Sequence, residues 1–422
     1  RRSGTKEVEM VIPPVMYYVF TPLLVVIVGI LAERSEMPKL RDAFAILASA
    51  AGVVAVWMIY NLVQAAPDKI LLVTLGGNPP LGACLEIDMM SVYMAFSATI
   101  LGLFATVYSY SYMEHDTRQT EYYTLLSALV VGMLGVTFAG DMFTLFIFWE
   151  MMGITSYSLV AFRKELWGPI EAGFKYMIMG SIGSTILFFG MALLYGMSGT
   201  LNFAQLSSVL RGQPVNMWYN LIFTLLIIGF GVKSAIVPMH TWLPDAHPEA
   251  PSPISAMLSG IFIETGLYAM IRVLFILFEP SFFKIPLAAL AIITMTLGNF
   301  LALGQDDVKR LLAYSSIAQI GYMLIGLSTG LVYGLMGTML HIFNHSLMKG
   351  LAFLSAGSIV HEAGTRDINE LKGIGRMMPI TTMALIVSFL GLGGVPGTNG
   401  FISKFVLFNS TLGSGLLILA VF

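Results

Sequence analysis

Cysteine is almost absent and charge is scarce. A single cysteine, Cys84, leaves no partner for an intramolecular disulfide and too few thiolates for an iron–sulfur cluster. Charged residues make up 11% of the 422 positions, against about 25% in soluble domains, which is too little to cover a soluble surface. A net charge of -2 offers no basic surface to a nucleic acid. What the chain has instead is apolar: 57% of it is hydrophobic. Those residues gather into runs of about 20, each long enough to cross about 30 Å of hydrocarbon. The bilayer is therefore the solvent, and the expected fold is an all-α polytopic membrane protein. The first run, 11–32, is long enough to span, and no cleaved signal peptide is evident. The chain opens on Arg1 and stops at Phe422 inside an apolar run with no polar cap, which reads as a fragment lacking part of one helix.

Hydropathy, with Gly, Pro and charge clusters as punctuation, gives about thirteen spans, the last (412–422) cut short. Loops after odd-numbered spans carry Arg34, Lys39 and Arg41, then Arg118, Arg163 and Lys164, then Lys309 and Arg310, then Arg366, Lys372 and Arg376. Even-numbered loops hold only Lys69, Arg211 and Lys284, so the odd loops are expected to face the cytoplasm. Arg1, Arg2 and Lys6 pull the other way.

Two spans are interrupted. Gly231-Val232-Lys233 followed by Ile236-Val237-Pro238-Met239 breaks the seventh (221–242), and Gly391 to Gly397 with Pro396 breaks the twelfth (379–405). Irregular backbone at membrane depth is tolerated where it is buried in protein or lines a hydrated cavity. A lysine stands near each break, Lys233 and Lys404, and the breaks fall five spans apart, the sequence pattern of an inverted-repeat transporter. Close helix packing would also explain the glycines, but not the lysines.

An ionisable group at bilayer depth costs at least about 2.5–3.5 kcal/mol on insertion scales, so each one suggests function. Glu150 and Glu264 sit inside apolar spans, Lys175 starts one, and Lys233 precedes the first break. Glu150 with Lys233 is the expected proton-affinity switch. His341, His345 and Lys349, spaced by four, share one helix face within about 80° and suit a proton relay. The same histidines could hold a metal or be satisfied packing residues beside Asn344 and Ser346, but no Cys or carboxylate completes a metal site nearby in sequence. Lys175 can also snorkel to the interface. Asp245, His247 and Glu249, among prolines, form either an ion-uptake site or a polar turn.

Phe148-Trp149-Glu150, the run from Lys233 to Ser255 with His240-Thr241-Trp242-Leu243-Pro244-Asp245-Ala246-His247, the segment His341 to Lys349, and Phe401-Ile402-Ser403-Lys404-Phe405 follow one another in order. In these motifs the chain resembles the antiporter-like membrane subunits of respiratory complex I, Mrp-type sodium/proton antiporters and membrane-bound group 4 hydrogenases. That resemblance implies about fourteen helices with two inverted five-helix repeats and two broken helices. It divides the chain into helices 1–3 over 1–120, a first repeat over 121–280 and a second, truncated repeat over 281–422. The residues and the resemblance together give an expected ion path through Glu150, Lys175, Lys233, His240, Glu264, His341, His345, Lys349 and Lys404. Glu150 would pair with Lys233, and Lys404 would end the path in the second repeat. The family often carries lysine in the eighth span, where this chain has Glu264; a carboxylate there would relay protons differently and favour sodium.

The resemblance further implies a subunit of a redox-driven complex, of the hydrogenase, sulfur-reductase or complex I type, in a prokaryotic plasma membrane. No cofactor is expected in this chain; iron–sulfur clusters and nickel–iron belong to partner subunits. Partners would be other antiporter-like subunits, a redox module, the lipid bilayer and protons or sodium ions, with the motif flavour leaning to the hydrogenase and Mrp-like branch. The rival readings are a non-redox Mrp-type antiporter subunit, a quinone- or haem-binding subunit, and a structural scaffold. Two histidines on one helix face do not sit opposite each other across a haem iron.

Overall fold

The computed structural model describes residues 2–75, 77, 82–210 and 216–421; Arg1, Arg211 and Phe422, used above for the chain ends and orientation, lie outside the described residues. The chain divides into two compact units, one of residues 1–162 and 184–226, the other of 163–183 and 227–422.

Five long helices dominate the first unit: α1 (Arg2–Arg34), α2 (Pro38–Ala65), α3 (Met89–Tyr112), α4 (Gln119–Phe138) and α5 (Met142–Val160). Between α2 and α3 lies an antiparallel hairpin, β1 (Leu71–Leu75) and β2 (Ala83–Ile87), a feature without a period-two signal strong enough to be expected beforehand. Its inward residues Leu71, Val73, Leu85 and Ile87 join Ile59, Val63, Leu134 and Phe138 in one buried cluster. Asp141 ties the hairpin to the start of α5. Its buried carboxylate accepts from Thr144 N at 2.7 Å, capping the helix, and from Cys84 N at 2.8 Å. The helix α6 (Trp167–Ser198) contributes to each unit from a different half, and α7 (Phe203–Leu210) belongs to the first.

In the second unit both expected breaks are present. The helix α8 (Met217–Lys233), which enters this unit at Ile227, ends at Lys233, and the chain turns irregularly until α9 (Leu243–Glu249). Backbone groups freed by this break find partners inside the protein, as burial in lipid demands. Trp242 Nε1 donates to Val232 O at 2.7 Å while its ring stacks on Tyr176 at 3.9 Å, and Val237 N donates to Thr294 Oγ1 at 3.2 Å. Next come α10 (Ser252–Met257), a π-helical turn (Leu258–Phe262) and α11 (Ile263–Leu277), which together form one 26-residue span. The helices α12 (Pro280–Leu303) and α13 (Val308–Ser328) make a tight antiparallel pair. A Cβ on Gly298 would stand 2.6 Å from Ala318 N, so only glycine permits that approach. Beyond them lie α14 (Val332–Ala363), the single turn α15 (Ile374–Met377), α16 (Pro379–Gly393) and α17 (Asn399–Ser414).

Nine helices among the described residues are long and apolar enough to cross a membrane, and two shorter apolar helices, Met217–Lys233 and Pro379–Gly393, end at the two breaks. The protein is a multi-pass membrane protein. Residues 412–414, expected to open the last span, belong instead to α17, which runs on to Ser414; Gly415 turns it off at φ 75°, and the 3-10 turn Leu417–Ala420 follows among the described residues. Hydropathy sees an apolar run there and misses the left-handed glycine stop.

Candidate functional site

The second unit holds a file of buried polar side chains. Glu264, on the first turn of α11 after the π-helical turn, and His345, on α14, are both fully buried and hydrogen-bonded to each other through Oε1 and Nδ1. Each keeps one open end: Glu264 Oε2 and His345 Nε2 are buried and have no partner. One turn along α14, the His341 ring centroid is 6.3 Å from that of His345. That is too far for direct bonding between the rings.

His341 is held at both nitrogens. Nδ1 lies 2.9 Å from Ser403 Oγ and Nε2 2.9 Å from Gln319 Oε1. Gln319 Nε2 donates to Leu392 O at 3.3 Å, which leaves Oε1 as the acceptor and places a proton on His341 Nε2. The same Leu392 carbonyl accepts from Lys404 Nζ at 2.7 Å. It is freed because α16 ends one residue later, at Gly393, so the helix break itself presents the oxygen that couples Gln319 to Lys404. Lys404 Nζ also stands 4.4 Å above the Tyr322 ring.

Toward the other end of α14, Lys349 is fully buried and donates to Leu312 O at 2.8 Å. His247, in the short helix α9 between spans, stacks on Phe353 at 4.9 Å with both ring nitrogens buried and unpartnered. Burial, with the Lys309 and Lys349 side chains near it, pushes its imidazole well below the usual value, so it is held neutral. Lys309 is buried too and donates to Ala250 O at 2.7 Å.

Beyond His247 the unit opens into a charged mouth, a cavity of about 270 Å³ lined by Glu171, Lys175, Asp245, Glu249, Arg310 and Arg366 among others. Lys175 is exposed there, bonded to Glu171 at 2.8 Å and within 3.5 Å of Asp245. Arg310 meets Asp245 at 2.9 Å, and Arg366 reaches Glu249 at 3.1 Å and Asp307 at 3.2 Å. Arg310 and Arg366 of this mouth are among the residues by which the Lys and Arg count groups loops on one face of the membrane.

The remaining expected site residues stand as follows. Lys233 is buried at the last turn of α8, its Nζ 5.7 Å from the Phe262 ring. His240 is half-buried in the break, with Nδ1 unpartnered. Glu150 belongs to the first unit, on α5, half-buried, with Oε1 shielded and unpartnered. Sequence reasoning passed over Gln319, Ser403 and Lys309: a lone Gln or Ser in an apolar span has no periodic signal, and Lys309 was counted only as a loop charge.

Residues 139–422 match the family described as NADH:quinone oxidoreductase/Mrp antiporter, TM, and residues 77–123 match NADH-Ubiquinone oxidoreductase (complex I), chain 5 N-terminus. The chain belongs to the first of these families. It is 33% identical over 408 residues to NADH-quinone oxidoreductase subunit N of Desulforudis audaxviator, covering 94% of this chain and 80% of that one. It is 34% identical over 352 residues to F(420)H(2) dehydrogenase subunit N of Methanosarcina mazei, covering 80% and 71%. Among solved structures it superimposes on a chain of the membrane-bound sulfane sulfur reductase, an archaeal respiratory membrane complex. That match has a TM-score of 0.86 at 28% identity and covers all of this chain and 85% of the other. Membership in the family agrees with the two broken helices and with the order of the motifs along the chain.

Proposed function

We propose that this chain is the antiporter-like, ion-translocating subunit of a redox-driven membrane complex in a prokaryotic plasma membrane. The observation that carries the reading is the buried file Glu264·His345, His341·Gln319 and Lys404, ending on a carbonyl released by a helix break. Protonatable groups at membrane depth, each bonded to a neighbour on another helix, can pass a proton or charge when a neighbour's charge changes. The charged mouth at Asp245 and Glu249 supplies ions to this file past His247, whose two ring nitrogens are buried and unpartnered. Electron transfer, carried by iron–sulfur clusters and a nickel–iron centre in a partner redox module, would bias Glu150 and Lys233 and so drive the file. Other antiporter-like subunits would stand alongside.

The test is pumping by proteoliposomes of the purified parent complex at varied sodium, with wild-type, Glu150→Gln or Lys404→Ala chain. Each variant is expected to assemble normally and to lose translocation by on the order of 10²-fold, the usual cost of deleting a proton-transfer group. Normal pumping in both variants would reduce the chain to a scaffold. Transport that requires sodium, from a preparation free of redox subunits, would favour the second reading, a non-redox Mrp-type antiporter, which the family's own description keeps open.

A further inference from the structure

An apolar groove lies in the second unit, at the ends of the spans on the same side as the charged mouth. It has a volume of about 330 Å³ and is lined by Val308 and Leu311 of α13, Ala356 and Ile359 of α14, and Leu385 and Phe389 of α16, with Leu371 and Lys372 closing one end. Water in such a groove would lack hydrogen-bond partners, so an apolar occupant is favoured. The segment over it places an apolar residue at nearly every third position, Ile368, Leu371, Ile374, Met377 and Ile380, with Lys372 and Arg376 between them. Met377 is 72% exposed and Ile380 86% exposed. Exposed apolar side chains alternating with basic ones at the ends of membrane spans describe a segment lying in the bilayer interface. Neither Lys372 nor Arg376 has a carboxylate partner among the described residues. At the groove, the Thr382 hydroxyl is buried and unpartnered. The site therefore offers an apolar slot, a hydroxyl donor at its wall and one cation, Lys372, in its lining, with a second, Arg376, four residues further along the same segment.

We propose that this groove binds one anionic phospholipid. An acyl chain fills the slot between α13, α14 and α16, the Thr382 hydroxyl donates to a glycerol-linked oxygen, and the phosphate rests on Lys372 and Arg376. The lipid also braces the mouth. Val308 lines the groove, while its neighbour Asp307 meets Arg366 on the mouth side, and Val308 N and Ile368 N bond to Arg366 O and Asp306 O at 3.1 and 2.8 Å. One clipped pair of backbones thus separates lipid from ion pathway. The inference rests on the chain being a membrane protein and stands whether or not it moves ions.

The complex is purified from native membranes, exchanged into nanodiscs of phosphatidylglycerol or phosphatidylcholine, and examined by native mass spectrometry after mild delipidation. Wild-type chain is expected to retain one phosphatidylglycerol and no phosphatidylcholine. The double reversal Lys372→Glu/Arg376→Glu is expected to lower retention by about ten-fold or more, as removal of two interfacial cations implies. Leu385→Trp, which fills the slot and leaves the rim intact, is expected to lower it likewise. Should Leu385→Trp fail to fold, the exposed rim reversal decides alone. Equal phosphatidylglycerol retention by wild type and variants, equal retention of phosphatidylcholine, or cross-linking of Lys372 to a neighbouring subunit in the wild-type complex would each overturn the proposal.

Discussion

Glu264→Leu and His345→Leu, made singly, are each expected to lower stability by about 1–3 kcal/mol, because each strands the other's buried polar atom without its partner. Made together they are expected to return most of that loss, since removing both partners at once leaves no unpaired group. Translocation behaves differently. It should fall by on the order of 10²-fold in either single variant and stay down in the double, because no titratable group remains at that point of the file. Thermal unfolding of the solubilised complex, read beside pumping in proteoliposomes, separates the two effects. A double variant as unstable as the sum of the singles would mean that the two residues do not act as a pair. The expectation follows from burial: both side chains are wholly enclosed, and each is hydrogen-bonded to the other.

Gly400→Ala is expected to be the most damaging change at the second break. A Cβ on Gly400 would overlap the carbonyl oxygen of Gly391, a backbone atom that cannot swing aside. The first turn of α17 must then move off the last turn of α16, at a cost of about 1–3 kcal/mol or more for overpacking a buried contact. Lys404, one turn further on, moves with it and loses Leu392 O. Gly393→Ala is the control. A Cβ there meets nothing within 4 Å, so stability should stay within about 0.5 kcal/mol and transport should persist. If both alanines behave alike in thermal unfolding and pumping, the close approach of the two helices is not what positions Lys404.

Part of this architecture is legible in the sequence. The breaks are, because glycine, proline and lysine crowd together inside otherwise apolar runs, and local chemistry alone sets them apart. The common face of His341, His345 and Lys349 is, because spacing by four fixes it. Their partners are not. The three side chains point to three different neighbours, Gln319 with Ser403, then Glu264, then the Leu312 carbonyl, and those pairings are made across 22 to 81 residues of chain. Spacing by four places the stripe on one face, and the fold supplies each member with its own partner. The polar turn at Asp245 to Glu249 was ambiguous for the same reason, since only the fold brings Glu171, Arg310 and Arg366 to it. The hairpin escaped notice because its strands are five residues each and flank an apolar, glycine- and proline-rich stretch.

The π-helical turn at Leu258–Phe262 ends two residues before Glu264. Such a turn carries one residue more than an α-helical turn would. An α-helix advances 1.5 Å and turns about 100° per residue, so relaxing the extra residue into a straight helix would swing everything on one side of it by that step. Either α11 stays still and the Ser252–Met257 stretch screws beneath it, or Glu264 itself is carried off His345. The surplus residue would then act like a gear tooth: a slip of one position would convert a change in helix winding into the making or breaking of a single buried hydrogen bond.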